Sequence, residues 1–98
     1  MGSVRFKDQG TEDVFDGVNS KAARKKCPTA IHAAAARKLD YIVNARTLED
    51  LRVPRGNRLE ALAGDQIGQN SIRINDRYRI CFRWTEGGAT DIEIVDYH

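Results

Sequence analysis

The hydrophobic period of this chain changes near Arg58, and that change limits the folds open to it. Before Arg58, apolar residues recur at the helical spacing; after it, they alternate with polar residues as in a half-buried strand. The alternating segments are joined by short links, which favour antiparallel neighbours over the long crossovers of parallel strands. We therefore predict an α+β fold, in which an N-terminal short strand and helices pack on a four-stranded antiparallel meander.

The 98 residues leave room for one domain, so residues 1–98 are treated as a single unit. No apolar run approaches the roughly 18 residues that a membrane span needs, and no signal peptide is visible. The two cysteines, Cys27 and Cys81, show no metal-ligand spacing. We interpret them as reduced thiols of a cytoplasmic protein, with a single disulfide as the alternative.

Helix signals fill the first half of the chain, after a short expected strand at 4–6. The expected helices run from an N-cap at Thr11 to Gly17, from a cap at Ser20 to Cys27, and over 28–44. His32 falls at the edge of the apolar stripe of the last helix. We interpret it as a packed, hydrogen-bonded histidine rather than a catalyst.

Four strands are expected in the second half, at 58–63, 69–75, 78–85 and 89–96. Their register follows if buried residues must face buried residues, since a slip of one position turns every side chain to the other face. The loops are expected at 65–68, 75–77 and 86–88. The resulting pairs are Ala61 with Ile72, Ile72 with Ile80, Phe82 with Ile92, and Arg83 with Asp91.

These registers place a row of polar side chains on the sheet face that points away from the core. Glu60 is expected opposite Arg73, and Arg73 opposite Arg79, with Tyr97 diagonal to Arg79 and Arg58 beside the row. Facing arginines destabilise a sheet unless they contact water or hold an anion. A guanidinium suits phosphate because its planar fork binds two oxygens. The alternative is a solvated charged face that Glu60 balances.

The chain ends in Asp96, Tyr97 and His98, directly after the last strand and beside these arginines. Metal-free RNA cleavage needs a carboxylate that takes the 2′-hydroxyl proton and an arginine that holds the charge on the phosphate. It also needs an acid, such as an imidazole, that protonates the leaving oxygen. The alternative for His98 is a disordered terminal residue with no role in catalysis.

The charges of the chain are segregated, although 16 basic and 14 acidic residues give a net charge of only +2. Acidic residues collect near the two ends, and basic residues without acidic neighbours collect in the helical half. Such segregation points to a polyanionic partner more than the net charge does, and the alternative is a solvated basic face with no ligand. The helical basic residues are Lys21, Arg24, Lys25, Lys26, Arg37 and Lys38.

The segments RVPRGNRLEALAGDQIGQNSIRINDRYRICFRW and IEIVDYH closely resemble the HigB-type toxins of bacterial toxin–antitoxin operons, within the wider RelE/ParE group. The most specific pieces are PRGNRLEAL, the SIRIND-x-YRICF-x-W hairpin and the terminal DYH. The resemblance implies a RelE-like microbial RNase toxin fold. It also implies an mRNA interferase: a ribosome-dependent, metal-independent endoribonuclease that cleaves A-site mRNA, inhibits translation and arrests growth.

The resemblance further implies partners and residue roles. The partners are a HigA-type helix-turn-helix antitoxin and the ribosome with A-site mRNA; operator DNA is bound only through the antitoxin, and no cofactor or metal is needed. The basic helices are expected to contact ribosomal RNA. Glu60 takes the base role, by analogy with a glutamate of the related YoeB toxins. The other expected roles are catalysis by Arg79, Asp96, Tyr97 and His98, and substrate binding by Asn57, Arg58 and Arg73.

Two further functions fit the basic face. One is a non-catalytic nucleic-acid-binding module, and the other is a ParE-like toxin that inhibits gyrase. Glu60 and His98 discriminate, because phosphate binding alone needs neither a base nor an imidazole. The ParE-like group also generally lacks a terminal DYH.

Overall fold

The computed structural model describes residues 4–62 and 68–97, and it has the predicted α+β architecture. Its helices are α1 (Gln9–Asp16), α2 (Lys21–Lys26) and α3 (His32–Asn44), and its strands are β1 (Glu60–Ala61), β2 (Gln69–Arg73), β3 (Tyr78–Thr85) and β4 (Gly88–Asp96). Short 3₁₀ turns occupy Thr29–Ile31, Leu48–Arg52 and Arg55–Asn57. The strands lie in the order β1-β2-β3-β4, all antiparallel, so the meander is confirmed.

Side-chain caps and a glycine determine where α1 and α2 begin and end. Asp8 caps α1, because its carboxylate accepts a hydrogen bond from the Thr11 N–H at 2.7 Å; the expected cap at Thr11 is therefore wrong. Gly17 ends α1 in the left-handed conformation, with φ at 76°, as predicted. Ser20 caps α2 as predicted, accepting from the Ala23 N–H at 3.0 Å.

The outer edge of β4 is covered by the N-terminal segment and by α1. In place of the expected strand at 4–6, Phe6 forms one parallel bridge with Ile92. Thr11 is fully buried, and its hydroxyl oxygen accepts the Ile94 N–H at 3.1 Å. These contacts use edge groups that would otherwise be open to pairing with another chain.

The longest helix begins one turn later than expected, because Thr29–Ile31 form a 3₁₀ turn before His32. The His32 ring nitrogen Nε2 lies 2.9 Å from the Cys27 carbonyl oxygen, which confirms a packed, hydrogen-bonded histidine. No helix in the described ranges combines the length and apolar character needed to cross a membrane.

The hydrophobic core lies between the helices and one face of the sheet. Full burial of a leucine or isoleucine side chain contributes about 1.5–3 kcal/mol, and the core includes Ala35, Leu39, Ile42, Leu51, Ile72, Ile80, Phe82, Ile92 and Ile94. Cys27 and Cys81 are buried, and no disulfide joins them. Burial raises the pKa of the Cys27 thiol to about 11.

Strand β1 is shorter than predicted, and its register differs by two residues. Glu60 pairs with Ser71 rather than Arg73, and Ala61, which is exposed, pairs with Asn70. Arg58 has a left-handed φ of 46°, so the strand does not extend back to it. Residue 63 and most of the predicted loop, 65–67, lie outside the described residues. A shift of two keeps Glu60 on the predicted face.

The other registers are closer to prediction. Arg73 pairs with Arg79 and Ile72 with Ile80, as expected. Between β3 and β4, the predicted three-residue loop is a two-residue turn, because Gly88 already pairs with Thr85. A β-bulge absorbs the extra residue, and Asp91 there has a left-handed φ of 52°. Arg83 consequently pairs with Thr90, although its side chain still reaches the Asp91 carboxylate at 3.5 Å.

Gly10 lies where α1 contacts α2, and its missing side chain allows the two helices to approach. A Cβ there would lie 2.5 Å from the Ala22 carbonyl oxygen and 2.6 Å from Lys26 Cγ. Because a backbone atom cannot move aside alone, we expect Gly10→Ala to lower the free energy of unfolding by about 1–3 kcal/mol. Gly56→Ala is the matched control, since nothing lies within 4 Å of its added Cβ. Equal denaturant midpoints for the two variants would contradict this prediction.

Candidate active site

A polar pocket of about 520 Å³ opens on the second face of the sheet, near the end of β1. Its lining residues come from β1, β2, β3, the loop before β1, the turn between β2 and β3, and the residue after β4. The structure therefore brings together the whole predicted row of polar side chains. The lining residues are Arg58, Leu59, Glu60, Arg73, Asn75, Asp76, Arg79 and Tyr97.

Arg79 lies deepest among the charged residues of the pocket, with only 8% of its surface exposed. Its Nε donates to the Ser71 hydroxyl at 2.9 Å, and its Nη2 donates to the Arg58 carbonyl oxygen at 2.6 Å. The Glu60 carboxylate lies 3.2 Å from the same Nη2. The guanidinium carbon lies 5.9 Å from the Tyr97 ring centroid. Among the described residues, no hydrogen bond uses Nη1, so that edge of the fork is available to an anion.

The local backbone explains how Arg79 is held. Ser71 is fully buried on β2, and its small side chain leaves room for the guanidinium; its backbone carbonyl accepts a further bond at 3.3 Å. The left-handed conformation of Arg58 ends the 3₁₀ turn beside the pocket. A non-glycine residue in this conformation is uncommon and is often found at functional sites. Here it accompanies the 2.6 Å contact between the Arg58 carbonyl and Arg79.

Asn57 is fully buried and does not line the pocket, and its expected contact with substrate stays a prediction. Its Nδ2 donates to the Leu51 carbonyl at 3.2 Å and the Val53 carbonyl at 3.4 Å. Its Oδ1 accepts from Lys38 Nζ at 2.6 Å. The Asn57 amide therefore stabilises the loop that leads to Arg58. A polar residue type alone does not indicate whether the side chain is buried in a loop or faces a pocket.

Asp96 is not among the residues that line the pocket, and its expected catalytic role stays a prediction. Its carboxylate forms a two-pronged pair with Arg77, with Nε at 3.0 Å and Nη2 at 2.7 Å, and this pair raises the pKa of Arg77. The neighbouring Tyr97 N–H donates to the Arg77 carbonyl oxygen at 2.7 Å. Asp96 thus helps to hold Tyr97 at the pocket. His98, the predicted acid, lies outside the described residues.

The six basic residues of the helical half divide into two groups. Lys26 pairs with Asp8, the N-cap of α1, at 2.9 Å and with Glu93 of β4 at 3.6 Å. Its expected contact with RNA stays a prediction. Lys38 contacts the buried Asn57. The remaining four are exposed on the surface: Lys21, Arg24, Lys25 and Arg37.

Four residues of the site were missed in the sequence, and one of them, Leu59, is an apolar lining residue. Ser71 positions Arg79, and Asn75 and Asp76 line the pocket, with the Asp76 carboxylate paired to the Arg73 guanidinium. Ser71 lies two positions before Arg73 on the same strand, so the alternation of side chains puts both on one face. A small hydroxyl residue at a charged face is the signal that pointed to it.

Comparison with known proteins agrees with this geometry. The family described as the RelE-like toxin of type II toxin–antitoxin system HigB matches residues 4–98, a range that includes every pocket residue. Toxin HigB-1 of Vibrio cholerae is 37% identical over 87 residues, which are 89% of this chain and 88% of that protein. An uncharacterized protein of Haemophilus influenzae is 37% identical over 67 residues, 68% of this chain and 66% of its own.

Proposed function

The chain belongs to the HigB family of RelE-like toxins of type II toxin–antitoxin systems, and we propose that it is a ribosome-dependent endoribonuclease. Its pocket cleaves mRNA in the A site and so stops translation in the cytoplasm. A HigA-type antitoxin neutralises it, and operator DNA is contacted only through that antitoxin. The observation that carries the proposal is a buried arginine, Arg79, whose free edge is available to an anion beside a carboxylate.

The pocket contains the groups for cleavage by the 2′-hydroxyl of the RNA itself, without a metal or cofactor. Glu60 takes the proton of the 2′-hydroxyl, the 2′-oxygen bonds to phosphorus, and the bond from phosphorus to the 5′-oxygen breaks. This leaves a 2′,3′-cyclic phosphate. The side chain of Glu60 is 59% exposed and lies 3.2 Å from Arg79, so base and phosphate ligand adjoin.

Arg79 stabilises the charge that builds on the phosphate oxygens. Its Nε and Nη2 are held by protein groups, and Nη1 is the donor left for the phosphate. Such preorganised donors need no rearrangement as the charge develops. Arg73 and Arg58 add positive charge and contact the RNA backbone at the rim.

The leaving 5′-oxygen needs a proton, and we assign that step to His98. This residue follows Tyr97, whose half-exposed ring lies against the Arg79 guanidinium. Tyr97 is the second candidate for the acid, and its ring is also suited to stacking on a base.

The exposed cations of α2 and α3 dock the protein on ribosomal RNA. Lys21, Arg24, Lys25 and Arg37 have the exposure that phosphate contacts need. Contacts of this kind position a protein without reading sequence.

We expect both Arg79→Ala and Arg79→Lys to lower single-turnover cleavage of ribosome-bound mRNA by about 10²–10³. Lysine keeps the charge, but it lacks the planar guanidinium with which arginine can contact Ser71, the Arg58 carbonyl and a phosphate at the same time. Arg52→Gln is the control, since Arg52 is exposed and pairs with Glu49 outside the pocket. Thermal melts check folding. Undiminished cleavage by Arg79→Lys removes Arg79 from the chemistry; absence of cleavage by the unmodified chain favours a nucleic-acid-binding module or a gyrase inhibitor.

Replacing His98 with alanine should slow cleavage by about 10²–10⁴, the usual contribution of a general acid, without changing the thermal midpoint. In the unmodified chain the rate should fall at high pH as the acid loses its proton, and this limb should be missing in His98→Ala. Tyr97→Phe separates the hydroxyl from the ring. If His98→Ala cleaves normally and Tyr97→Phe does not, the acid is Tyr97.

The docking of α2 can be measured through its salt dependence. Changing Lys21, Arg24 and Lys25 together to glutamine should weaken ribosome binding. It should also reduce the slope of log affinity against log salt concentration, because binding with fewer phosphate contacts releases fewer counterions from the RNA. The thermal midpoint should stay unchanged, since all three side chains are exposed. If affinity and slope are both unaltered, α2 presents only a solvated surface.

A further inference from the structure

The end of β2 that carries Arg73 has no strand on its outer side among the described residues. The last pair between β1 and β2 joins Glu60 to Ser71, two positions short of Arg73. The 3₁₀ turn Arg55–Asn57 contacts β2 instead, and Lys38 of α3 in turn contacts that 3₁₀ turn. The Lys38 ammonium lies 2.6 Å from Oδ1 of Asn57, the residue immediately before Arg58 of the pocket.

Lys38 is held in place by its neutral partner. Both carbonyl contacts of Asn57 use its Nδ2, so its Oδ1 is turned towards Lys38 and accepts from it. An ammonium has three donors, and this contact uses one. The ammonium also lies 5.7 Å from the centroid of the Tyr41 ring, which packs beneath it.

The partner of this ammonium is a neutral amide at 2.6 Å, in the turn that leads to the pocket residue Arg58. Burial, together with repulsion from Arg37 and Arg73, lowers the pKa of Lys38. Among the described residues, no carboxylate forms an ion pair with Lys38 or Arg37. Arg73 has one partner, Asp76, whose side chain is 97% exposed. Like charges held together destabilise the free protein, and a bound anion offsets that repulsion.

We propose that Lys38 and Arg73 form a second phosphate-binding subsite beside the cleavage pocket, which holds the RNA phosphate next to the scissile one. This rests on the proposed function, because it takes the ligand of the pocket to be an RNA strand. It moves Lys38 from the expected contact with ribosomal RNA to contact with the substrate strand. Asn57 is its positioning residue, since its amide directs the ammonium towards the pocket edge.

The direct test is binding of the full chain to a short single-stranded RNA whose 2′-hydroxyls are methylated, so that it cannot be cleaved. Lys38→Gln should weaken binding about two- to fivefold, the effect expected of one partly exposed ion pair. The slope of log affinity against log salt should decrease by about 0.7, the value for one phosphate contact on a single strand. Lys38→Arg, which keeps the charge, should restore both.

Arg46→Gln is the matched control, because it removes the same charge from an exposed position just beyond the end of α3. Arg46 lies eight positions after Lys38, and the six helical positions from Lys38 to Asn44 alone span about 9 Å. Its affinity and slope should stay at the unmodified values. Arg73→Gln is a second variant of the subsite and should show the same loss of slope as Lys38→Gln, so the test does not depend on one substitution.

Kinetics on ribosome-bound mRNA give a second readout. Lys38→Gln should raise KM and leave kcat within about twofold, because a contact made equally in the ground and transition states affects binding alone. The subsite is overturned if RNA affinity and salt slope are unchanged in both Lys38→Gln and Arg73→Gln. It is also overturned if these two variants lose no more affinity than the control Arg46→Gln. If the subsite fails while the unmodified chain still cleaves, the nuclease proposal stands. If the slope changes but the unmodified chain never cleaves, the chain binds RNA without cutting it.

Discussion

The buried guanidinium of Arg79 is the interaction on which the site depends. A charge removed from water must be hydrogen-bonded or paired, because its desolvation otherwise costs several kcal/mol. Here the partners come from three segments: the Ser71 hydroxyl on β2, the Arg58 carbonyl in the loop, and the Glu60 carboxylate on β1. Because one side chain joins all three, the loop and β1 keep the positions that form the pocket wall.

The alternation of the second half was enough to predict most of this arrangement. Ile72 and Ile80 must both face the core, so the β2–β3 register follows, and with it the pairing of Arg73 with Arg79. The register of β1 could not be settled in the same way. A slip of two residues keeps every side chain on its face, so burial does not distinguish Glu60 opposite Ser71 from Glu60 opposite Arg73. Arg58 has a left-handed backbone that shortens the strand, and this conformation could not be predicted from the sequence because arginine does not favour it.

Side-chain partners from distant parts of the chain account for the other differences. Lys26 stands in a run of basic residues and looked like a surface cation, but Asp8 and Glu93 pair with it from α1 and β4. Asn57 looked like a polar residue beside the site, but its amide lies inside the loop. In both cases the type of residue was informative about chemistry, and only the fold determined whether that chemistry faced solvent.

The length of β1 and the partners of the two facing arginines together determine which charged groups the pocket leaves accessible. A longer β1 would pair with β2 as far as Arg73; with the two-residue strand, the 3₁₀ turn that Lys38 contacts packs against β2 instead. The facing arginines are tolerated without RNA because each has a carboxylate, Glu60 on Arg79 and Asp76 on Arg73. The Asp76 side chain is 97% exposed, so its carboxylate is already solvated while it pairs with Arg73. A phosphate that displaces this carboxylate from Arg73 therefore breaks only a weak, solvent-exposed ion pair. Glu60 stays with the deeper arginine, where a base is needed.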